Sequence, residues 1–288
     1  MATDQWLALK AALSPGTLVV RLYRWEKPAY TIGLNQEWSR AMNLARLRAD
    51  ELAIRRITGG RAIFHTLDEL TYSVTLEAPR GGGDFDGARA RIVSGLIGRA
   101  ITSFLLGRGI SATMAPQTTR SVAIRTASES PHCFASVARH EVTRDGVKVA
   151  AGAQRLLGRR FFQHGSIKIN GAQNSPALFE QSEAPSRHCP IVGSPEIVIW
   201  STALARDFQR AMSAVFAVTL APYELTNAER SAIEDVMETM EVRRGHWRPT
   251  AAELANLSPT FLSPSPVPAP CLGSGSMANI RFKKASRP

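Results

Sequence analysis

Cysteine is scarce in this 288-residue chain: Cys133, Cys189 and Cys271 are its only three. They are odd in number and far apart, which excludes a disulfide framework and a clustered thiolate metal site. No continuous apolar run is long enough to span a bilayer, and the start has no signal-peptide layout, so the expected compartment is the cytoplasm, with no membrane partner. Internal repeats are absent, and so is the strand–helix–strand rhythm of a doubly wound sheet. Charge is missing between residues 254 and 280; residues 258–276 carry five prolines, five serines and two glycines instead. Such a stretch cannot offset its ordering entropy by burial. The expected organisation is a folded domain over 1–256 and a disordered Pro/Ser-rich basic tail over 257–288.

What the chain does have is positive charge. Its formal net charge is +11, of which Arg281, Lys283, Lys284 and Arg287 supply four units and the body the rest. A basic body favours acidic partners, whether nucleic acid or acidic carrier proteins. Aromatic–basic interleaving is missing, so nucleic acid is not the expected partner. The 44% hydrophobic content suits a globular fold with ample core.

Hydrophobic periodicity predicts a helix over 1–13, strands over 17–25 and 30–34 forming a hairpin, a helix over 38–49 and a strand over 52–57. A strand over 70–77, a glycine-rich loop and a core helix over 89–106 follow. Residues 115–132 read as an exposed loop, and 139–143 and 147–154 as a hairpin across Asp145-Gly146. A strand over 161–169, a loop over 171–195 and helices over 201–218 and 227–240 complete an α+β chain.

Residues 55–74 carry the first chemical signal. Arg55, Arg56 and Arg61 surround a Thr58-Gly59-Gly60 turn between two strand patterns. Glycines permit positive φ and close approach of a ligand to main-chain N–H groups, and the arginines suit an anionic or carbonyl-bearing ligand. An ordinary hairpin with a Gly-Gly turn explains the glycines equally well.

The run Arg56-x-Thr58-Gly59-Gly60-Arg61-Ala62-x-x-His65, followed by Glu69-Leu70-Thr71-Tyr72-Ser73-Val74, resembles the signature of the biotin and lipoate protein ligase and transferase superfamily, in its octanoyltransferase form. Met1-Ala2-x-Asp4 and Ile32-Gly33-x-x-Gln36 also resemble family segments. The resemblance implies a mixed β-sheet flanked by helices, a class II aminoacyl-tRNA synthetase/biotin ligase-like catalytic domain. It further implies substrate binding by Arg56, Thr58, Gly59, Gly60, Arg61, His65, Tyr72, His164 and Gly165.

Transferring an acyl group from a thioester to an amine calls for a nucleophile that holds the acyl group between carriers, and a cysteine beside a cation does so. Cys133 precedes Lys148 by fifteen residues, with the Asp145-Gly146 turn between them. Cys133-Phe134, Glu141, Gly146-x-Lys148 and Gln163-His164-Gly165-Ser166 resemble the octanoyltransferase type in which cysteine precedes lysine. That type implies catalytic roles for Cys133 and Lys148. The implied route is ping-pong, from an octanoyl-acyl carrier protein to the lysine of a lipoyl carrier domain, either glycine cleavage H protein or a 2-oxoacid dehydrogenase E2. It implies no cofactor and no metal, and a monomer is expected. The chain departs from the pattern at Ala150-Ala151-Gly152-Ala153 and at Val137-Ala138-Arg139-His140. An ATP-dependent lipoate ligase and an amidotransferase between lipoyl domains are the alternative activities. By residue chemistry alone, His65 and His164 also suit a structural, hydrogen-bonded role.

Overall fold

The computed structural model describes residues 1–67, 69–115, 140–168 and 202–244, together with the strand Asn279–Arg281. Cys133, Cys189, Cys271 and the loops expected over 115–132 and 171–195 lie outside the described residues, apart from Ala115.

Among the described residues twelve strands form two sheets. They are β1 Leu18–Tyr23, β2 Ala29–Ile32, β3 Leu52–Arg55, β4 Ile63–His65, β5 Glu69–Glu77, β6 Thr113–Met114, β7 Val142–Arg144, β8 Val147–Leu157, β9 Arg160–Lys168, β10 Ala221–Tyr223, β11 Val242–Arg244 and β12 Asn279–Arg281. The larger sheet runs β10-β12-β1-β5-β9-β8-β7-β6 and the smaller β11-β3-β2-β4. The helices are α1 Ala2–Leu9, α2 Trp38–Ala41, α3 Gly87–Gly107, α4 Thr202–Phe216 and α5 Asn227–Thr239. The α+β expectation with a mixed sheet and flanking helices holds.

β5 explains how the layers are set. It is buried on both faces. Leu70, Tyr72 and Val74 alternate into a core with Ile97, Ile101 and Phe104 of α3 and Phe208 and Met212 of α4. Glu69, Thr71, Ser73 and Thr75 point the other way and are equally buried. A strand with one apolar and one polar buried face reads as ordinary alternation, yet both faces are covered here. α3 has the length and apolarity of a membrane-crossing helix by composition alone. In the fold it lays Ala90, Val93, Ile97, Ile101 and Leu105 on the sheet and leaves Ile92 and Leu106 exposed.

Four expectations are corrected. The first two strands are not a hairpin: β1 pairs with β5 and β12, whereas β2 pairs in parallel with β3 and antiparallel with β4, in the other sheet. The Thr58-Gly59-Gly60 turn is likewise not a hairpin turn, because β3 and β4 flank β2 on opposite sides and the loop carries the chain across it. The helix expected over 38–49 breaks into α2 and a 3-10 turn over Leu44–Arg46. Ala41, Met42 and Leu47 all enter the small-sheet core with Tyr30 and Ile32. At about 100° per residue a continuous helix would set Met42 and Leu47 roughly 140° apart, so the chain breaks to bury both. Finally, Asn279–Arg281, within the stretch expected as a disordered tail, form β12 between β1 and β10. Strand addition uses main-chain groups, which composition does not report.

Candidate active site

The Gly59–Gly60 loop is built by having its carbonyls turned inward. Arg155 Nη1 donates to the Ile57 carbonyl at 2.9 Å and Leu34 N to that of Thr58 at 2.8 Å. Arg56 Nη2 donates to the carbonyls of Gly59 and Arg61 at 2.9 and 2.8 Å. Gly60 takes φ +87°, and its carbonyl lies so close to Gly33 that a Cβ there would fall 2.0 Å from the oxygen. With carbonyls inside, the amides face out: no hydrogen bond among the described residues uses the N–H of Gly59 or Gly60. Outward-facing consecutive N–H groups on an exposed turn make a receptor for negative charge. Arg56 was expected to touch substrate; it is buried, and its guanidinium holds the loop it precedes. Arg61 is partly buried at the end of the same loop.

Beneath the loop lie two buried histidines, each between a carboxylate and a threonine. His65 Nδ1 is 2.5 Å from Glu69 Oε1, and His65 Nε2 is 2.8 Å from Thr31 Oγ1. A carboxylate only accepts, so Nδ1 carries the proton and Nε2 accepts from the Thr31 hydroxyl. Burial pushes the His65 pKa down to about 4 against the opposing pull of Glu69, so the ring is neutral. Burial alone would raise the Glu69 pKa, yet His65 and Lys168 outweigh it and hold it down at about 2. Glu69 also accepts from Ser166 at 2.8 Å, from Thr71 at 3.0 Å and from Lys168.

His164 Nε2 is 2.7 Å from Thr58 Oγ1, and its Nδ1 lies 3.9 Å from Asp4 on α1. Asp4 is further engaged by Arg21, by Tyr23 at 2.6 Å and by Ser73 at 2.7 Å. Burial opposes ionisation of Asp4, but the Arg21 guanidinium and His164 hold its carboxyl well below the usual range. Burial lowers the His164 pKa, partly offset by Asp4.

Lys148 reaches this face through an irregularity in β8. Val142 pairs with Ala150 and Thr143 with Lys148, so β8 has one residue more than β7 over this interval. Val149 and Ala150 both enter the α3 core with Val142. Paired residues point to one side of a sheet and adjacent ones to opposite sides, so Lys148 and Thr143 turn away from that core. Ala151 and Ala153 share the Lys148 side, and a Cβ on Gly60 would lie 3.5 Å from Ala153 Cβ. Lys148 Nζ is 2.7 Å from Glu141 Oε1. Glu141 immediately precedes Val142, so the Lys148 ammonium is paired with a carboxylate at the start of β7.

The remaining expected residues do not join this face. Tyr72 is 2% exposed, receives a hydrogen bond from Gln163 Nε2 at 3.0 Å and packs with Phe208 in the helix-side core. Gly165 pairs with Gly152, and a Cβ on Gly165 would strike both the Ala151 carbonyl and the Tyr72 hydroxyl. These two glycines make room for the tyrosine ring. The Gly152 departure from the family pattern therefore lies on the core side of the sheet. The fold thus brings together Thr58, Gly59, Gly60, Arg56, His65 and His164, puts Lys148 on the same side of the larger sheet as Ala153, and sets Tyr72 and Gly165 behind.

Sequence reasoning singled out neither Asp4 nor Glu69 as a functional residue, nor Thr31, Ser166 or Lys168. The available signal was the polar half of β5 inside a strand whose other half is core. Next to the loop lies an open cleft of about 770 Å³ lined by Leu34, Trp38, Met42, Leu44 and Arg55. No group of three or more His, Cys, Asp or Glu among the described residues could hold a metal.

Comparison with known proteins gives the family and the fold. The profile of the lipoyl protein ligase A/B catalytic domain matches residues 1–191. The octanoyltransferase LipM of Symbiobacterium thermophilum is 29% identical over 264 residues, covering 83% of this chain and 89% of that protein. The octanoyltransferase LipM of Moorella thermoacetica is 26% identical over 254 residues, with 82% and 88% covered. Among solved structures, lipoate-protein ligase A bound with ATP superposes with TM-score 0.61 at 17% identity, covering 83% of this chain and 88% of that one. A chain from the bi-partite lipoate protein ligase and E2 lipoyl domain of Thermoplasma acidophilum gives 0.62 at 16% identity, with 83% and 86% covered. At those identities the likeness is one of fold.

Proposed function

This chain belongs to the lipoyl protein ligase A/B catalytic domain family, and from that premise we propose that it is an octanoyltransferase of protein lipoylation that works through an acyl-enzyme on Cys133. The observation that carries the reading is the turning of Lys148 onto the face where the Gly59 and Gly60 amides point outward. Supporting it are the cysteine–lysine spacing and the similarity to LipM octanoyltransferases over more than four fifths of the chain.

In the first half-reaction the Cys133 thiolate attacks the octanoyl thioester of an acyl carrier protein. The carbonyl oxygen becomes an oxyanion, which the Gly59 and Gly60 N–H groups receive. Collapse breaks the bond to the pantetheine sulfur, which leaves as a thiol after taking a proton from the Lys148 ammonium. In the second half-reaction the lysine amine of a lipoyl carrier domain attacks the Cys133 thioester. Lys148, now neutral, accepts the amine proton, and Cys133 leaves as the amide forms. Ala151 and Ala153 give the acyl chain a floor of small side chains.

Incubation of the full chain with octanoyl-acyl carrier protein, followed by mass spectrometry, tests this. The expected result is one octanoyl group on Cys133, absent in Cys133→Ser and discharged by a lipoyl domain without ATP. ATP-dependent acylation that survives Cys133→Ala would overturn the reading in favour of a ligase.

A further inference from the structure

Among the described residues Glu69 touches neither Lys148 nor the Gly59 and Gly60 amides, yet it begins an unbroken hydrogen-bonded chain that ends on the carbonyls of the glycine loop. We propose that Glu69 is a positioning residue for acyl transfer, acting through His65, Thr31 and Arg56 to keep the Gly59 and Gly60 amides aimed outward. The proposal rests on the octanoyltransferase reading.

Each link follows from donor and acceptor capacity. Glu69 Oε1 takes the Nδ1 proton of His65 at 2.5 Å. The opposite nitrogen must then accept, and the only hydroxyl bonded to it among the described residues is that of Thr31, at 2.8 Å. With its proton committed to His65, the Thr31 oxygen keeps lone pairs for Arg56 Nη1, at 3.0 Å. Nη1 also donates to the Thr31 carbonyl at 2.9 Å, so the guanidinium is clamped at both atoms of one residue. Its other nitrogen, Nη2, carries the Gly59 and Arg61 carbonyls. Glu69, His65, Thr31 and Arg56 are all under 5% exposed, so water does not compete for any link.

Reversing the first link reverses the chain. If His65 took the other tautomer, its Nε2–H would compete with Arg56 Nη1 for the Thr31 oxygen, the Thr31 proton would lose its acceptor, and a bare Nδ1 would face the Glu69 carboxylate. The guanidinium would withdraw and the loop carbonyls would lose their donor. Glu69 is suited to prevent this because it sits where the two sheets meet: it starts β5 of the larger sheet, His65 ends β4 of the smaller, and Lys168 of β9 donates both to Glu69 and, at 2.7 Å, to the Phe64 carbonyl of β4.

The test combines Glu69→Gln, Thr31→Val and the double variant, measured by steady-state octanoyl transfer and by imidazole ¹⁵N shifts of His65. The wild type is expected to show His65 neutral with the proton on Nδ1, and Glu69→Gln to shift it toward Nε2. Each single variant is expected to lower kcat by about 10- to 100-fold, the cost of a small misplacement of a catalytic group, with KM for the octanoyl carrier within about twofold. The double variant is expected to be no slower than the slower single, because both cut one chain. Multiplying losses, an unmoved tautomer in Glu69→Gln, or Thr31→Val turning over like wild type would each overturn the proposal. Should Glu69→Gln fail to fold, Thr31→Val decides alone, since it removes one buried hydroxyl and keeps the side-chain volume. A wild type that shows the Nδ1 tautomer but transfers no octanoyl group refutes the activity while leaving the hydrogen-bonded chain in place.

Discussion

Lys148 stands opposite Thr143, two residues along β8 from the Ala150 that pairs with Val142, the immediate neighbour of Thr143. Val149 is the surplus residue, and it rotates Lys148 from the apolar core to the face of the glycine loop. Replacing Lys148 with methionine is expected to lower octanoyl transfer by about 10²–10⁴-fold, the range for a positioned acid–base group, and to lower the unfolding temperature, because the largely buried Glu141 carboxylate loses the ammonium paired with it. Deleting Val149 leaves Lys148 next to Ala150 and still on the Thr143 side, so it should cost stability through the valine lost from the α3 core and activity only through local displacement of the strand. Transfer assays with thermal melts on both variants check this. A Lys148→Met variant with wild-type turnover would refute the role given to the lysine.

The loop makes opposite predictions for two glycines. A Cβ at position 33 would fall 2.0 Å from the Gly60 carbonyl and 3.1 Å from the Gly59 carbonyl carbon, both backbone. Gly33→Ala must therefore displace the loop, and is expected to lose about 1–3 kcal/mol of stability, as overpacking does, together with most of the activity. Gly59 has nothing within 4 Å of its Cβ position and no positive φ. Gly59→Ala should leave the melting temperature within a degree or two, about the effect of a surface substitution. Calorimetry on the pair separates them.

Tyr72 distinguishes core from site. Its hydroxyl is bonded to Gln163 and its ring packs between Gly152, Gly165 and Phe208. Removing the hydroxyl leaves the Gln163 amide short of a partner, so Tyr72→Phe is expected to cost about 1–3 kcal/mol of stability with KM and kcat little changed. A large rise in KM at unchanged stability would return Tyr72 to the substrate face.

The buried histidines set an acid limit. In the unfolded chain His65 takes up a proton near its ordinary value of 6.5, but in the fold only near 4. Between those values the unfolded state binds more protons, so stability falls as pH drops from 6.5 toward 4, by at most ~3 kcal/mol from this group. His164 shifts in the same direction. Glu69 contributes stability above its ordinary 4.5 that is lost as pH falls toward about 2. The melting temperature should therefore decline from pH 6.5 downward, before ordinary carboxylates titrate, and His65→Gln should flatten that decline. A constant melting temperature between pH 7 and 4.5 would contradict the burial of both rings in neutral form.

Local rules located most elements, because period-2 and period-3.6 patterns survive in the sequence wherever one face meets a core. β5, α3, the Asp145-Gly146 hairpin and α5 with its Thr226 capping box are of this kind. They failed at residues 38–49, where two apolar side chains had to reach one small core from positions a helix would separate. The roles of Arg56 and Tyr72 were also hidden, since a motif names residues without saying which side of a sheet each one faces.

Residue order by itself determined the α+β class and the glycine loop, because these depend on periodicity and turn chemistry. Only the tertiary structure decided that β1 and β2 part company, that Glu69 meets His65 across two sheets, and that one surplus residue turns Lys148 toward the loop. The physical reason is the side-chain period of two in a strand: a single bulge or a change of sheet reverses which face a residue serves, and nothing in its neighbours' identities records the reversal.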